Sequence, residues 1–226
     1  MWNYVSSSIL FLLRAVSNCF PSALTHQILR ILPYLFLGCV CYGFDAIFSK
    51  IQGEYAPYIG AVADNAAHGI IAFFSWCIVC EIHTRKHLID GVLCGIIACA
   101  IDLDHFIAAK SFKLKDALQL KNRPFLHTTT VVFIVVPMLQ VWLAQNNCFL
   151  RSLPYLFTVG VSSHHLRDGN RCGLWFWPLG STPPLPYWIY ICCIVALPFI
   201  VKETKANIDK LVVIPLAENN VVLLDV

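Results

Sequence analysis

The sequence is short of charge. Lys, Arg, Asp and Glu make up 13% of its 226 residues, against about 25% in an ordinary soluble domain. Apolar residues make up 58%, and the mean hydropathy is +0.68. So little charge does not coat a water-soluble surface of this size, which excludes a disordered chain and argues against a cytosolic enzyme. The net charge of +3 is too small to imply a polyanionic partner, so no nucleic acid is expected. No Asn-x-Ser/Thr acceptor occurs to mark a lumenal side. The run Ser8–Leu13 lacks a preceding positive stretch and is stopped by Arg14; it reads as an interfacial segment, neither signal peptide nor span. What remains is an integral membrane protein.

Eleven cysteines is an odd number, so a fully paired disulfide framework is impossible. Cys39, Cys41, Cys77, Cys80, Cys94, Cys99, Cys192 and Cys193 lie inside apolar runs, where the thiol behaves as a small hydrophobe. Cys77 and Cys80 have the spacing of a redox or zinc motif, but their helix-length apolar surroundings favour a core role.

A membrane span needs about 20 mostly apolar residues. Six stretches qualify: residues 28–48, 61–82, 88–109, 126–145, 150–166 and 185–201, the last interrupted by Pro198. They predict an all-α, multi-pass bundle of five to six transmembrane helices over residues 28–201. An N-terminal interfacial segment (1–27) precedes it and a polar C-terminal tail (202–226) follows. Eight basic residues fall on each side of such a bundle, so the excess of Lys and Arg that marks a cytoplasmic face does not choose an orientation.

Relative placement says more. With alternating spans, the end of span one, the start of span two, the end of span three, the start of span four and the end of span five lie on one side. These places carry Asp45; Asp64, Asn65 and His68; Asp102, Asp104 and His105; His127; and His164, His165 and Asp168. Ionisable groups at membrane depth cost about 2.5–3.5 kcal/mol each on insertion scales, so they face an interior and find partners. Asp64 with His68 and His164 with Asp168 are four apart, and Asp102 with His105 three apart, so each pair shares a helix face. Imidazole nitrogens and carboxylate oxygens brought together from several helices are the ligand types of a zinc or manganese site in a bundle. Taken one at a time, a buried His is as well explained by an interhelical hydrogen bond, and an Asp at a span end by capping.

Beside this cluster, Lys110–Arg123 interleaves Phe112, Leu114, Ala117, Leu118 and Leu120 with Lys113, Lys115 and Lys121. It reads as a surface amphipathic segment facing anionic head groups, or as a solvated connector. The run Leu174–Trp175–Phe176–Trp177–Pro178–Leu179 reads as an interfacial aromatic belt or a re-entrant cover.

The motifs Ala67–His68–Gly69, Ile101–Asp102–Leu103–Asp104–His105, Arg123–Pro124–Phe125–Leu126–His127–Thr128 and His164–His165–Leu166–Arg167–Asp168, followed by Gly173 and Trp177–Pro178, resemble a bacterial inner-membrane family. That family is described as membrane-bound, metal-dependent hydrolases and is also called LexA-binding. Its pattern runs as an early His, P-D-x-D-H, H-R-x-x-T-H-S, then H-x-x-x-D…G…W-P, and the resemblance covers residues 61–178. It implies His68, Asp102, Asp104, His105, His127, His164 and Asp168 as the polar site. The chain departs from the pattern where Ile101 replaces its Pro, Asn122 its first His of the third motif, and Leu126 its Thr.

Two functions follow as expectations. In the first, a divalent metal ion, zinc or manganese, is held by His68, His105, His127, His164 and Asp102. Such an ion makes water nucleophilic near neutral pH, and Asp104 and Asp168 act as catalytic carboxylates that orient a ligand or take a proton. Arg123, Arg167 and Arg171 hold an anionic group of a membrane lipid or other phosphate-bearing, membrane-proximal substrate. In the second, the cluster is structural or binds metal without turnover, and the protein is a membrane scaffold. An ion pathway is disfavoured, because only Glu81, His83 and His87 stand at the opposite face, across an apolar stretch.

Overall fold

The computed structural model describes residues 22–146 and 151–221; the expected Ser8–Leu13 interfacial segment lies outside them. The chain forms two compact units, residues 1–36 and 37–226. In the first, the described residues are the opening turns of helix α1 (Ser22–Phe48), which contains Pro33. Ile31, Leu32, Leu35 and Phe36 are exposed there, as lipid-facing side chains are.

The second unit continues α1 and adds α2 (Ala56–Cys80), α3 (Arg85–Ala100), α4 (Leu103–Ala109) and α5 (Leu114–Ala117). A 3₁₀ turn (Phe125–His127), α6 (Thr130–Asn146), α7 (Leu153–Cys172), a short hairpin of β1 (Trp175–Phe176) with β2 (Gly180–Ser181), and α8 (Tyr187–Val221) complete it. Local chemistry sets the ends. Thr84 caps α3 by accepting the His87 N–H (3.3 Å). Prolines in the first turns of α2 and α7 cost no hydrogen bond. Gly173 ends α7 with φ +75°, and a Cβ there would lie 1.9 Å from Thr182 O, so only glycine fits.

Three of the described helical segments are long and apolar enough to cross a membrane: His26–Phe48, Ala56–Cys80 and Arg85–Ala109. The expected fourth span forms α6, apolar over the shorter stretch Thr130–Leu143 and containing Pro137. The fifth forms α7, whose C-terminal half carries the His164–Asp168 motif. The sixth forms α8, which does not stop near residue 201. It runs through most of the expected polar tail to Val221, with Pro198 and Pro215 both inside it. The protein is thus an all-α integral membrane protein.

Two apolar clusters hold the second unit together. Ala72, Trp76, Val79, Cys94, Ala98, Tyr155, Leu156, Val159 and Leu197 join α2, α3, α7 and α8. Leu37, Cys41, Ile71, Tyr190 and Ile194 join α1, α2 and α8. Where α2 crosses α3 the backbones touch: a Cβ on Gly95 would sit 2.8 Å from Gly69 O, the close approach that small residues allow between membrane helices. Cys77 and Cys80 are free, half-buried thiols, as expected of a core role.

Candidate functional site

Five stretches of chain meet at one end of the second unit. The middle of α2 brings Asp64 and His68, the break after α3 brings Asp102, α4 brings Asp104 and His105, the 3₁₀ turn brings His127, and α7 brings His164, His165, Asp168 and Arg171. The break matters: Asp102 falls at the step between α3 and α4, so it and Asp104 point to different sides of the same imidazole.

That imidazole belongs to His127. Its Nδ1 donates to Asp104 Oδ2 (3.3 Å), which also accepts the Leu126 N–H (2.7 Å). His164 Nδ1 donates to Ala98 O (2.9 Å). The Nδ1 proton of each ring is thereby committed, so in the neutral form of each imidazole Nε2 carries the lone pair. The two Nε2 atoms lie 3.4 Å apart. Asp102 Oδ1 is 3.4 Å from the first and 3.7 Å from the second, and Asp168 Oδ2 is 3.5 Å from each. In that form four acceptor atoms face one another, and a divalent cation is a partner that serves all four. Ligand distances of about 2.0–2.2 Å give tetrahedron edges of roughly 3.3–3.6 Å; four of the five separations above fall in that range, and the Asp102–His164 separation is slightly longer.

The two remaining histidines flank this quartet. His68 stacks on His164 with ring centroids 3.8 Å apart, and its Nε2 lies 3.5 Å from Asp168 Oδ1 and 3.8 Å from Asp64 Oδ2. His105 packs edge-on against His127, and its Nδ1 donates to Ala117 O (3.3 Å). His165 faces the other way, donating from Nε2 to Leu126 O (2.9 Å), and so fixes the 3₁₀ turn. Three threonines after His127 stitch that turn to the hairpin. Thr129 N donates to Trp175 O (2.7 Å), Trp177 N donates to Thr128 Oγ1 (3.2 Å), and Thr130 Oγ1 donates to Trp177 O (2.8 Å). The aromatic run is a hairpin whose Trp177 and Leu179 stay exposed.

A cavity of about 800 Å³ opens onto the quartet. Asp64, Asp102, His105, His127, Asp168, Arg123 and Arg171 make its polar wall, and Phe106, Phe112, Leu114 and Leu118 its apolar wall. Phe112, Leu114 and Leu118 of the apolar wall come from the Lys110–Arg123 stretch; only Leu114–Ala117 of it is helical, and Phe112 is almost wholly exposed.

The arginines divide. Arg171 lines the cavity and donates to Asp168 Oδ1 (2.6 Å) and Asp64 Oδ2 (2.5 Å). Arg123 lines it too, with Nη1 on Gly173 O (2.9 Å) and a buried Nη2 that has no partner. Arg167, expected to hold a substrate, is instead buried away from the cavity. It donates to Asp45 Oδ1 (2.7 Å), Asp64 Oδ1 (3.1 Å) and Tyr190 Oη (3.2 Å), and its position in α7 turns it toward α1 and α8. Asp104, expected to be catalytic, stands behind His127, buried and off the cavity wall, where it orients the ring. Tyr190 and the Ala98 carbonyl escaped the sequence reading. A lone Tyr in an apolar span carries no pattern, and a backbone oxygen carries none at all.

Comparison with known proteins finds relatives that share this chain's length and membrane character. It is 40% identical to transmembrane protein 267 of Mus musculus over 166 residues, covering 72% of this chain and 76% of the relative. Against the Bos taurus protein of that name it is 37% identical over 187 residues, 78% and 86% of the two chains. Against that of Danio rerio it is 35% identical over 164 residues, 72% and 74%. No protein-family model and no solved structure matches, so the bacterial resemblance rests on the motif residues alone.

Proposed function

This chain belongs to the transmembrane protein 267 family, whose name records a place in a membrane and no reaction, and from the site we propose that it is a metal-dependent hydrolase acting on an amphiphile at one membrane face. The supporting observation is the quartet of His127 Nε2, His164 Nε2, Asp102 Oδ1 and Asp168 Oδ2, four potential ligand atoms that converge within 3.4–3.7 Å. These four residues would hold a zinc or manganese ion. When bound, the ion supplies Lewis acidity toward a carbonyl or phosphoryl oxygen.

The rest falls to the chain. Asp104 and the Ala98 carbonyl hold the Nδ1 protons, which fixes both tautomers; such outer partners are worth 10–100-fold in metal affinity. Asp102 is partly exposed in the cavity, and its Oδ2 makes no hydrogen bond among the described residues, so it is the oxygen placed to take a proton from attacking water. Arg171 and the unpartnered Nη2 of Arg123 offer donors to an anionic head group. Phe106, Phe112 and Leu118 give its apolar part a wall to lie on.

The test uses the full chain in detergent, stripped with EDTA and reloaded with manganese or zinc, then incubated with a whole-membrane lipid extract. The reading expects metal-dependent loss of one lipid class, abolished in Asp102→Asn together with a loss of metal affinity. Metal bound without turnover of any lipid class would overturn it. That result would favour the second reading, a non-enzymatic membrane scaffold, which has its own support in the Arg167 ion pairs that tie α1, α2, α7 and α8 together without any ion.

A further inference from the structure

The site holds more donors than one ion uses. Zinc in protein sites takes four ligands, and the quartet supplies them, yet His68 and His105 remain beside it. The donors sort into two groups, His68 with His164 and Asp168, and Asp102 with His105 and His127, each with its ligand atoms within 4.8 Å of one another. The groups interlock. Asp168 Oδ2 lies 3.5 Å from His127 of the other group, and Asp102 Oδ1 lies 3.7 Å from His164. Each carboxylate thus stands between an imidazole of its own group and one of the other, where a bridging carboxylate stands. On the metal reading given above, we infer that the centre takes two divalent cations, with Asp102 and Asp168 shared between them.

Three observations carry this. His105 Nδ1 is anchored on Ala117 O, which leaves Nε2 as its lone pair, the same arrangement that prepares His127 and His164. His68 is 1% exposed, and its Nδ1 has no hydrogen-bond partner. Among the described residues nothing holds that ring by Nδ1, so its orientation rests on the stack with His164 and on Nε2, which faces carboxylate oxygens. The third is charge. Asp45, Asp64, Asp102, Asp104 and Asp168 are faced by Arg167 and Arg171, with Arg123 on the same cavity wall, which leaves two carboxylates uncompensated when the histidines are neutral. One divalent ion brings the site to neutrality and a second makes it positive, which suits an anionic head group, and a pair of ions about 3.5–4 Å apart is the arrangement that clamps the attacking and leaving oxygens of a phosphate ester.

The test is stoichiometry, and it needs no turnover. Full-length protein in detergent is stripped, loaded with manganese chloride alone and desalted, then read by elemental analysis and electron paramagnetic resonance. The inference expects about two manganese ions per chain with an exchange-coupled signal. It also expects His68→Gln and His105→Gln each to fall to one ion per chain with loss of coupling. One uncoupled ion in the unsubstituted protein overturns the inference and leaves the single-ion hydrolase standing; no ion at all overturns both. Unchanged binding of two ions in both variants also overturns it, since neither histidine would then be a ligand. Because the first readout uses the unsubstituted protein, a variant that fails to fold does not protect the idea.

Discussion

Two polar groups meet on α7, and they close in opposite ways. Around Arg167, a buried guanidinium lies between Asp45 and Asp64 and takes Tyr190 as a third partner, and Arg171 also holds Asp64, so that two guanidiniums face two carboxylates within the chain. One turn away, His127 and His164 converge with Asp102 and Asp168, with no guanidinium between the imidazoles and the carboxylates. The two differ in what they lack. A group that completes itself joins helices; one left short of positive charge at membrane depth needs something from outside, because unpaired charge there is costly. Asp64 belongs to the first through Arg167 and touches the second through His68 and Arg171, so the closed group is the wall against which the open one is built.

Breaking the closed group should have the largest effect. Arg167→Met leaves Asp64 with Arg171 and Asp45 with Tyr187 only; removing one member of a fully buried pair costs about 3–5 kcal/mol, and these remaining partners put the loss at the lower end of that range. Thermal unfolding in detergent should show that loss, with Arg167→Lys recovering part of it, since one ammonium does not reproduce three directed donors. A variant as stable as the parent would mean that the carboxylates are solvated and the group is not closed.

Separating the helices under the open group comes next. Gly95→Ala puts a methyl 2.8 Å from Gly69 O, which drives α2 from α3 at an overpacking cost of about 1–3 kcal/mol. α3 contributes Ala98 and leads into Asp102, whereas the Arg167 contacts use α1, α2, α7 and α8. Metal binding should therefore weaken by more than the stability loss alone accounts for. Titration of stripped protein with manganese, alongside the melting curve, separates the two effects.

What the sequence made legible was the convergence, and the reason is that topology is enough for it. Alternating spans place Asp64, Asp102, His127 and His164 at one face whatever their rotamers, and spacing puts Asp64 with His68 and His164 with Asp168 on shared helix faces. Division of labour within the cluster was not legible. Whether Arg167 or Arg171 faces the cavity depends on about one turn of α7, finer than any span boundary. Asp104 and Asp102 look alike in sequence, and only the helix break between Ala100 and Leu103 puts one behind His127 and the other beside it. Helical extent was misjudged for α8, because polarity after Lys202 marks exit from an apolar environment and does not by itself end a helix.

Asp104 supplies a milder probe of the open group. Asp104→Asn keeps an oxygen for the Leu126 N–H but removes the carboxylate from His127 Nδ1. Outer-partner losses of this kind lower metal affinity 10–100-fold, and the melting temperature of the stripped protein should change little. If manganese affinity stays as it was, the His127 tautomer is set by something other than Asp104.

The smallest expected effect lies at the threonine stitch. Thr128→Val keeps shape and loses the oxygen that accepts the Trp177 N–H and donates to Trp175 O, about 0.5–1.5 kcal/mol of hydrogen bonding. The hairpin then holds His127 through Thr129 and Thr130 alone, so the ring loosens without losing Asp104. Since Thr128→Val and Asp104→Asn both act through the placement of one imidazole, their effects on metal affinity should be less than additive when combined. Either one combined with Arg167→Lys should add, because neighbours that share a partner couple and separate groups do not. A cycle in which Thr128 couples to Arg167 as strongly as to Asp104 would erase the distinction between a closed group and an open one, and would make the whole end of the bundle a single network.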